Sequence, residues 1–499
     1  MRMGDFRGRC WKRQKHLYYT QPSRIRQRGN RRKQESEESQ GGGTDGPAAS
    51  PLFGGMRTSS PSERHKPCRS MPREVRVHDY NDNESLARWG PGKRSPCARG
   101  FTMLDWREVR RHVQEMADYA RDRLRMHPPT LRYALSLLHR FSDDLERLQR
   151  MAREAMRVGW RGAIPWGEPL AARFPLPAEQ PQARVIAADG SQIYPDRHGT
   201  IPYFVLNIGL IEMRHGSGAP PHTWHHLVFW YREEELFTED GEMRALNDLE
   251  AERDIQELEQ LAAAMARRAD DAFGPPVGLA DGLLLPWALA RGEPFAAVSA
   301  ERYRELFRRA IGALESAKET GGAIAGYVDR PTGHAVLRLL ALGLLDPDEI
   351  SREKVADYPF GQLRDRALFA ELLKPGERSA LFAPTWPIND HLDREGHRLL
   401  FFYLNVGTEG RPHLARVEIP EWVARDRARL DRLHRAIWDQ CRILAEAPYP
   451  YLLTRAHELA RIRPDERKQL EGMIQEALLR RGLHVSISAK ARQKEWLGG

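Results

Sequence analysis

Two short apolar runs that end in the same acidic pair stand out along the chain. Val-Ile-Ala-Ala at 185–188 leads into Asp189-Gly190-Ser191-Gln192, and Val-Gly-Leu-Ala at 277–280 leads into Asp281-Gly282. Apolar runs of this length, bounded by turn residues, predict buried strands. Each would deliver one carboxylate to its C-terminal end, where the backbone then turns. Further apolar runs at 203–211 and 224–231, separated by turn chemistry at 215–221, predict an antiparallel meander with the first strand. Strands are also expected at 322–328, 401–406 and 414–419.

Elsewhere the period is that of a helix. Trp106, Val109, Val113, Met116, Ala120 and Leu124 form one stripe; Leu131, Leu135, Leu138, Phe141, Leu145, Leu148 and Met151 form a second. Pro128-Pro129 lies between them and predicts an αα-hairpin over 101–160. A Pro-rich connector follows at 165–181. Longer helical patterns cover 242–268, 303–318, 334–345, 421–446 and 451–481.

Composition changes this picture mainly at the N-terminus. The 499 residues carry a formal net charge of +9, but residues 1–100 hold 22 Lys and Arg against 10 Asp and Glu, leaving 56 against 59 in the remainder. The basic character belongs to the first hundred residues, so bulk charge on the rest does not argue for a nucleic-acid partner. That segment has no periodic apolar face and no apolar stretch of a secretory signal. It is expected to be a disordered basic tail, or the product of a start placed upstream of Met103. Cys10, Cys68, Cys97 and Cys441 have no zinc-like spacing, which points to a reducing, cytoplasmic setting. No apolar run approaches the length of a membrane span, and no membrane partner is expected.

The element order is a strand with a carboxylate, a two-strand hairpin, an acidic helix, a second strand with a carboxylate, then helices. It predicts an α/β protein: a ribonuclease H-like mixed sheet with helical insertions and an N-terminal helical hairpin. In such a fold Asp189, a helix glutamate and Asp281 meet at one rim. Oxygen ligands of this kind suit Mg²⁺ or Mn²⁺, and two such ions activate water against a phosphodiester. Each residue also has a plainer reading. Asp-Gly is a common turn pair, and Glu250, Glu252, Glu257 and Glu259 all lie on the acidic helix, where most must face solvent. Tyr194 and Arg197 follow the first Asp and could meet a DNA strand by stacking and charge, or simply pack the loop. Arg330, Arg455 and Lys490 could contact phosphates or be ordinary surface charge.

The chain also resembles the NurA nucleases, which work beside a HerA-type hexameric DNA translocase. The resemblance rests on Ala-Asp-Gly-Ser-Gln at 188–192, Arg-Asp-Ile-Gln-Glu-Leu at 253–258 and Ala-Asp-Gly-Leu-Leu at 280–284. It continues with Ala-Gly-Tyr-Val-Asp-Arg-Pro at 325–331, Arg-Val-Glu-Ile-Pro-Glu-Trp-Val-Ala at 416–424 and Tyr-Pro-Tyr-Leu-Leu-Thr-Arg-Ala-His at 449–457. It covers roughly 180–495 and leaves the basic tail without a counterpart. Asp329 departs from it, standing where a small polar residue would be expected. The resemblance implies a Mn²⁺-dependent 5′→3′ exonuclease and single-strand endonuclease that acts on DNA ends in resection and repair, as a homodimer. It favours Glu257 among the helix glutamates, through an Arg-x-x-x-Glu-Leu spacing. His457 it makes a fourth ligand or a proton donor. Two other classes compete: a non-catalytic adaptor of a translocase, and an actin-like phosphotransferase, which would need a Gly-rich nucleotide loop and a duplicated core.

Overall fold

Seven strands position the acidic residues: β1 (Ala183–Ile193), β2 (Phe204–His215), β3 (His222–Trp230), β4 (Val277–Asp281), β5 (Ala323–Asp329), β6 (Leu399–Asn405) and β7 (Leu414–Pro420). The computed structural model describes residues 104–483, apart from 180–181, 198, 200, 268–272, 291, 293–297 and 445–446. The basic tail and Lys490 therefore lie outside the described residues. The strands belong to an 11-stranded mixed sheet in the order β3-β2-β1-β4-β5-β7-β6, extended by Phe382–Pro384 and Ala163–Pro165. β1, β2 and β3 form an antiparallel meander, and β4 and β5 run parallel to β1 on its other side. A 3-2-1-4-5 order with this polarity is a ribonuclease H-like core, as the order of patterns along the chain predicts.

Both faces of this sheet are covered. The helices are α1 (Trp106–Arg140), α2 (Leu145–Arg157), α3 (Leu246–Ala266), α4 (Ala300–Glu319), α5 (Ala335–Leu342), α6 (Asp365–Leu372), α7 (Arg427–Ile443), α8 (Tyr451–Ala460) and α9 (Pro464–Leu479). Successive strand residues face opposite sides. Ile186 and Ala188 join Ile255 and Leu258 of α3 and Leu314 of α4, whereas Val185, Ala187 and Leu279 join Ile437 of α7 and Leu453 of α8. A third apolar cluster holds Leu138, Leu148, Leu337, Phe369, Phe401 and Tyr403, and so unites α1, α2, α5 and α6 with β6. Among the described residues no helix is long and apolar enough to cross a membrane.

Four local expectations change. β1 does not end at Asp189 but runs on to Ile193, so Asp189 is a mid-strand residue and only the second Ala-Asp-Gly turns, at Gly282 (φ +83°). Pro128 and Pro129 lie inside the single helix α1, and the chain reverses at 141–144 instead. The two prolines lack the N–H donors that would bond back to the turn before them. That turn adjoins a largely exposed half, Trp106 to Arg121, and buried positions among the described side chains of α1 include Ala134 and Leu137. The pattern at 451–481 is two helices, because Pro464 opens α9 at a position where its absent donor costs nothing. The pattern at 421–446 likewise divides, into Glu421–Arg425 and α7.

Candidate active site

The register of β1 with β4 brings the two aspartates together. Ala188 pairs with Ala280 in the parallel ladder, which sets Asp189 beside Asp281 on adjacent strands, both directed to the α7/α8 side. A third carboxylate arrives from the other side of the sheet. Glu257 of α3 reaches across Gly190, where an added Cβ would stand 2.5 Å from its Oε1 and 3.0 Å from the Cγ of Arg253. Gly190 is thus an opening in the strand, not a turn residue.

The fourth group depends on another bare position. Gly209 pairs with Asp189 across the β1–β2 ladder. A Cβ there would lie 2.6 Å from the Ala460 nitrogen and 2.8 Å from the Ala456 oxygen. Glycine lets α8 rest directly on β2, an approach that Asn207 fixes by donating through Nδ2 to the Leu459 and Ala460 carbonyls at 3.2 and 2.8 Å. So seated, α8 holds His457 Nδ1 2.7 Å from Asp189 Oδ2. Tyr449, just before α8, donates its hydroxyl to Asp281 Oδ1 at 2.8 Å, its ring edge-on to Tyr327. Asp189, Glu257, Asp281 and His457 line one cleft of about 460 Å³ together with Arg253, Asp254 and Trp287.

Electrostatics in the cleft disfavour bare negative charge. Burial holds the Glu257 carboxyl well above its ordinary range, and the negative charges of Asp254, Asp189 and Asp281 add to this while Arg253 opposes it. Asp281 is raised by desolvation and by Asp189, against the hydrogen bond from Tyr449. Asp254 is raised by burial, with Arg253 again in opposition. The Tyr449 phenol is pushed far up by burial and by the Asp281 charge, which keeps it protonated as a donor.

Carboxylate side chains gathered in one cleft, with burial and then neighbouring negative charge holding back the ionisation of Glu257 and Asp281, have the chemistry of a hard dication site. The ligand geometry itself is not drawn together: among the described residues no three His, Cys, Asp or Glu side chains converge as a metal cage. Each carboxylate leans on a protein partner instead, Asp189 on His457, Asp281 on Tyr449 and Glu257 on Arg253. The donor set fits a divalent ion once those contacts are exchanged for it.

The remaining sequence candidates go elsewhere. Glu252 is buried between Arg302 and Arg309 of α4, Glu259 pairs with Arg309, and Glu250 accepts from Tyr194 at 3.2 Å. Of the four helix glutamates only Glu257 lines the cleft. Tyr194 is half-buried against Gln192 and Glu250, Arg197 is exposed in the loop after β1, and Arg455 pairs with Glu458 on its own helix. Arg330 follows β5 as an exposed non-glycine in the left-handed region (φ 43°). Asp254, Tyr449 and His413 carry no signal of their own in the sequence, and Asp329, which departs from the family pattern, pairs with His413 at 2.5 Å. The i, i+4 spacing of Arg253 and Glu257, which already favours Glu257 in the sequence, is an ion pair in the fold. The contacts of Tyr449 with Asp281 and of His413 with Asp329 join distant segments and have no such signal.

Comparison with known proteins adds a family. The NurA domain model matches residues 183–462. Solved structures similar to this chain include the NurA nuclease from Sulfolobus solfataricus, 12% identical over 68% of this chain and 96% of that one, with a TM-score of 0.39. A NurA structure with manganese is 10% identical over 69% and 96% (TM-score 0.33), and the catalytic domain of human endonuclease V 14% identical over 66% and 98% (TM-score 0.26). No curated protein sequence matches. The matched segment spans more than half of the chain, opens on the first residue of β1 and contains every residue that lines the cleft; the chain belongs to the NurA domain family.

Proposed function

We propose that this chain is a divalent-metal-dependent DNA nuclease. The observation that carries the reading is that Asp189, Asp281 and Glu257, from two parallel strands and a helix, line one cleft, with His457 on Asp189. Family membership supports the finer points: 5′→3′ exonuclease and single-strand endonuclease activity in DNA end resection, as a cytoplasmic homodimer beside a HerA-type hexameric ATPase. Residues 180–495 would be the nuclease domain and 101–160 a helical appendage.

Asp189, Glu257 and Asp281, with His457 as a fourth ligand or proton donor, would hold Mn²⁺ or Mg²⁺, in the two-ion form of such sites. Such ions, when bound there, would supply an activated water and charge neutralisation at the phosphodiester. The chain's own residues do the rest. Tyr449 fixes the rotamer of Asp281 through its hydroxyl, and Gly190 admits Glu257 to the strand. His457, tied at Nδ1, is 68% exposed, so its Nε2 is available to give a proton to the departing oxygen as the P–O bond breaks. Arg197, Arg330, Arg455 and Lys490 remain phosphate-contact proposals, and Tyr194 a stacking one.

Cleavage of single-stranded and 5′-recessed DNA with Mn²⁺, with EDTA as control, tests this. Asp189→Ala should abolish cleavage while the protein stays folded; undiminished cleavage by that variant would sink the proposal. The partnered state of every carboxylate favours one second reading, a structural adaptor of a translocase, which binds DNA or its ATPase without cutting.

A further inference from the structure

Arg253 brings a guanidinium into the carboxylate cluster. Its Nε lies 3.2 Å from Glu257 Oε1, its Nη2 donates to Asp254 Oδ1 at 2.8 Å, and its Nη1 points to Gln192 Oε1 at 3.5 Å. The stem packs over Gly190, so the guanidinium hangs beside the strand position next to Asp189. It lines the cleft with Asp189, Asp281 and His457, and its side chain is 30% exposed, which leaves it a path to the opening.

Resting on the nuclease reading, we propose that Arg253 is a built-in counter-cation. It occupies Glu257 and Asp254 until a divalent ion takes that carboxylate, and then turns its planar fork to a substrate phosphate. Two like charges cannot both sit against Glu257 at low cost, since charges a few ångströms apart interact strongly at protein-like dielectric. The same guanidinium, once displaced, has the geometry that pairs with phosphate oxygens. Arg253 thereby opposes metal binding yet supports cleavage.

Those opposite signs make the test. Mn²⁺ binding to the full-length protein is measured by calorimetry in alkaline buffer for wild type, Arg253→Gln and Arg253→Lys, and cleavage of a DNA oligonucleotide at saturating Mn²⁺ is measured in parallel. Arg253→Gln should bind Mn²⁺ about tenfold more tightly or better and cut with a kcat about 100-fold lower. Arg253→Lys, which keeps the charge but not the fork, should bind Mn²⁺ like wild type and cut slowly. Weaker or unchanged Mn²⁺ binding by Arg253→Gln, with thermal unfolding showing it folded, overturns the proposal, and so does unaltered kcat. A misfolded Arg253→Gln shifts the decision to Arg253→Lys, where wild-type kcat overturns it. If wild type itself neither binds Mn²⁺ nor cuts, it is the nuclease reading that fails.

Discussion

His457 and Asp189 stand 268 positions apart in the chain and 2.7 Å apart in the fold. The contact exists because Gly209, the cross-strand partner of Asp189, has no side chain to hold α8 away. Replacing Gly209 with Ala places a methyl against helix backbone, which cannot swing aside. A loss of about 1–3 kcal/mol in stability is expected, with a large fall in Mn²⁺-dependent cleavage. Denaturant unfolding and a nuclease assay measure the two effects.

Gly190→Ala should behave differently. Its new methyl meets the end of a flexible glutamate side chain, not backbone. The melting temperature should move by only a few degrees, while cleavage falls because Glu257 is displaced. Equal losses of stability at both glycines would contradict this distinction.

The raised carboxyls predict the pH dependence of folding. Glu257 and Asp281 have folded pKa values above their ordinary ones. Such groups bind protons more tightly when folded, so their contribution to stability is full below the ordinary carboxylate range and is lost as pH rises through the folded values. Apo protein should therefore lose stability on going from acidic to neutral pH by this contribution, and Glu257→Gln should flatten the loss. That variant should be more heat-stable than wild type at neutral pH yet inactive, a trade common at functional sites. Melting curves across pH, with EDTA present, decide it.

Metal should reverse the same penalty. An ion that binds only the folded protein adds about 2.7 kcal/mol at a concentration 100 times its dissociation constant. Thermal scans with Mn²⁺ and with EDTA should differ in wild type and coincide in Asp189→Ala. A shift of equal size in both would place the ion elsewhere.

Asp365 offers a control remote from the cleft. Fully buried on α6, it accepts from the Val336 and Leu337 amides that open α5 and from the Tyr403 hydroxyl. Asp365→Ala strands three buried donors and should cost about 3 kcal/mol or more. Cleavage per folded molecule should stay at the wild-type level, as read by activity normalised to the folded fraction.

Much of the fold was legible because it is written in local periods. The apolar runs before Asp189 and Asp281 mark two strands, and the order of runs and helices identifies the sheet. What local pattern could not give is the fate of individual acids on α3. That helix is buried on two sides, by the sheet and by α4, so a glutamate facing inward is not thereby a site residue. Glu252 is more deeply buried than Glu257, yet it serves α4 through Arg302 and Arg309. Likewise Tyr449 acquires its role only by reaching Asp281, 168 positions earlier. The Pro128-Pro129 break failed for the converse reason, since a strong local signal fell beside an exposed stretch where its cost is small.

Because α8 follows every other element of the cleft along the chain, the timing of synthesis matters. Domains fold as the chain emerges from the ribosome, N-terminal parts first. β1 and β4 can pair, and so set Asp189 beside Asp281, well before residue 457 has been made. A nascent or prematurely ended chain then carries the acidic pair without its histidine. The acidic pair is therefore in place before the residue that completes the cleft, and α8 is the last of its elements to arrive.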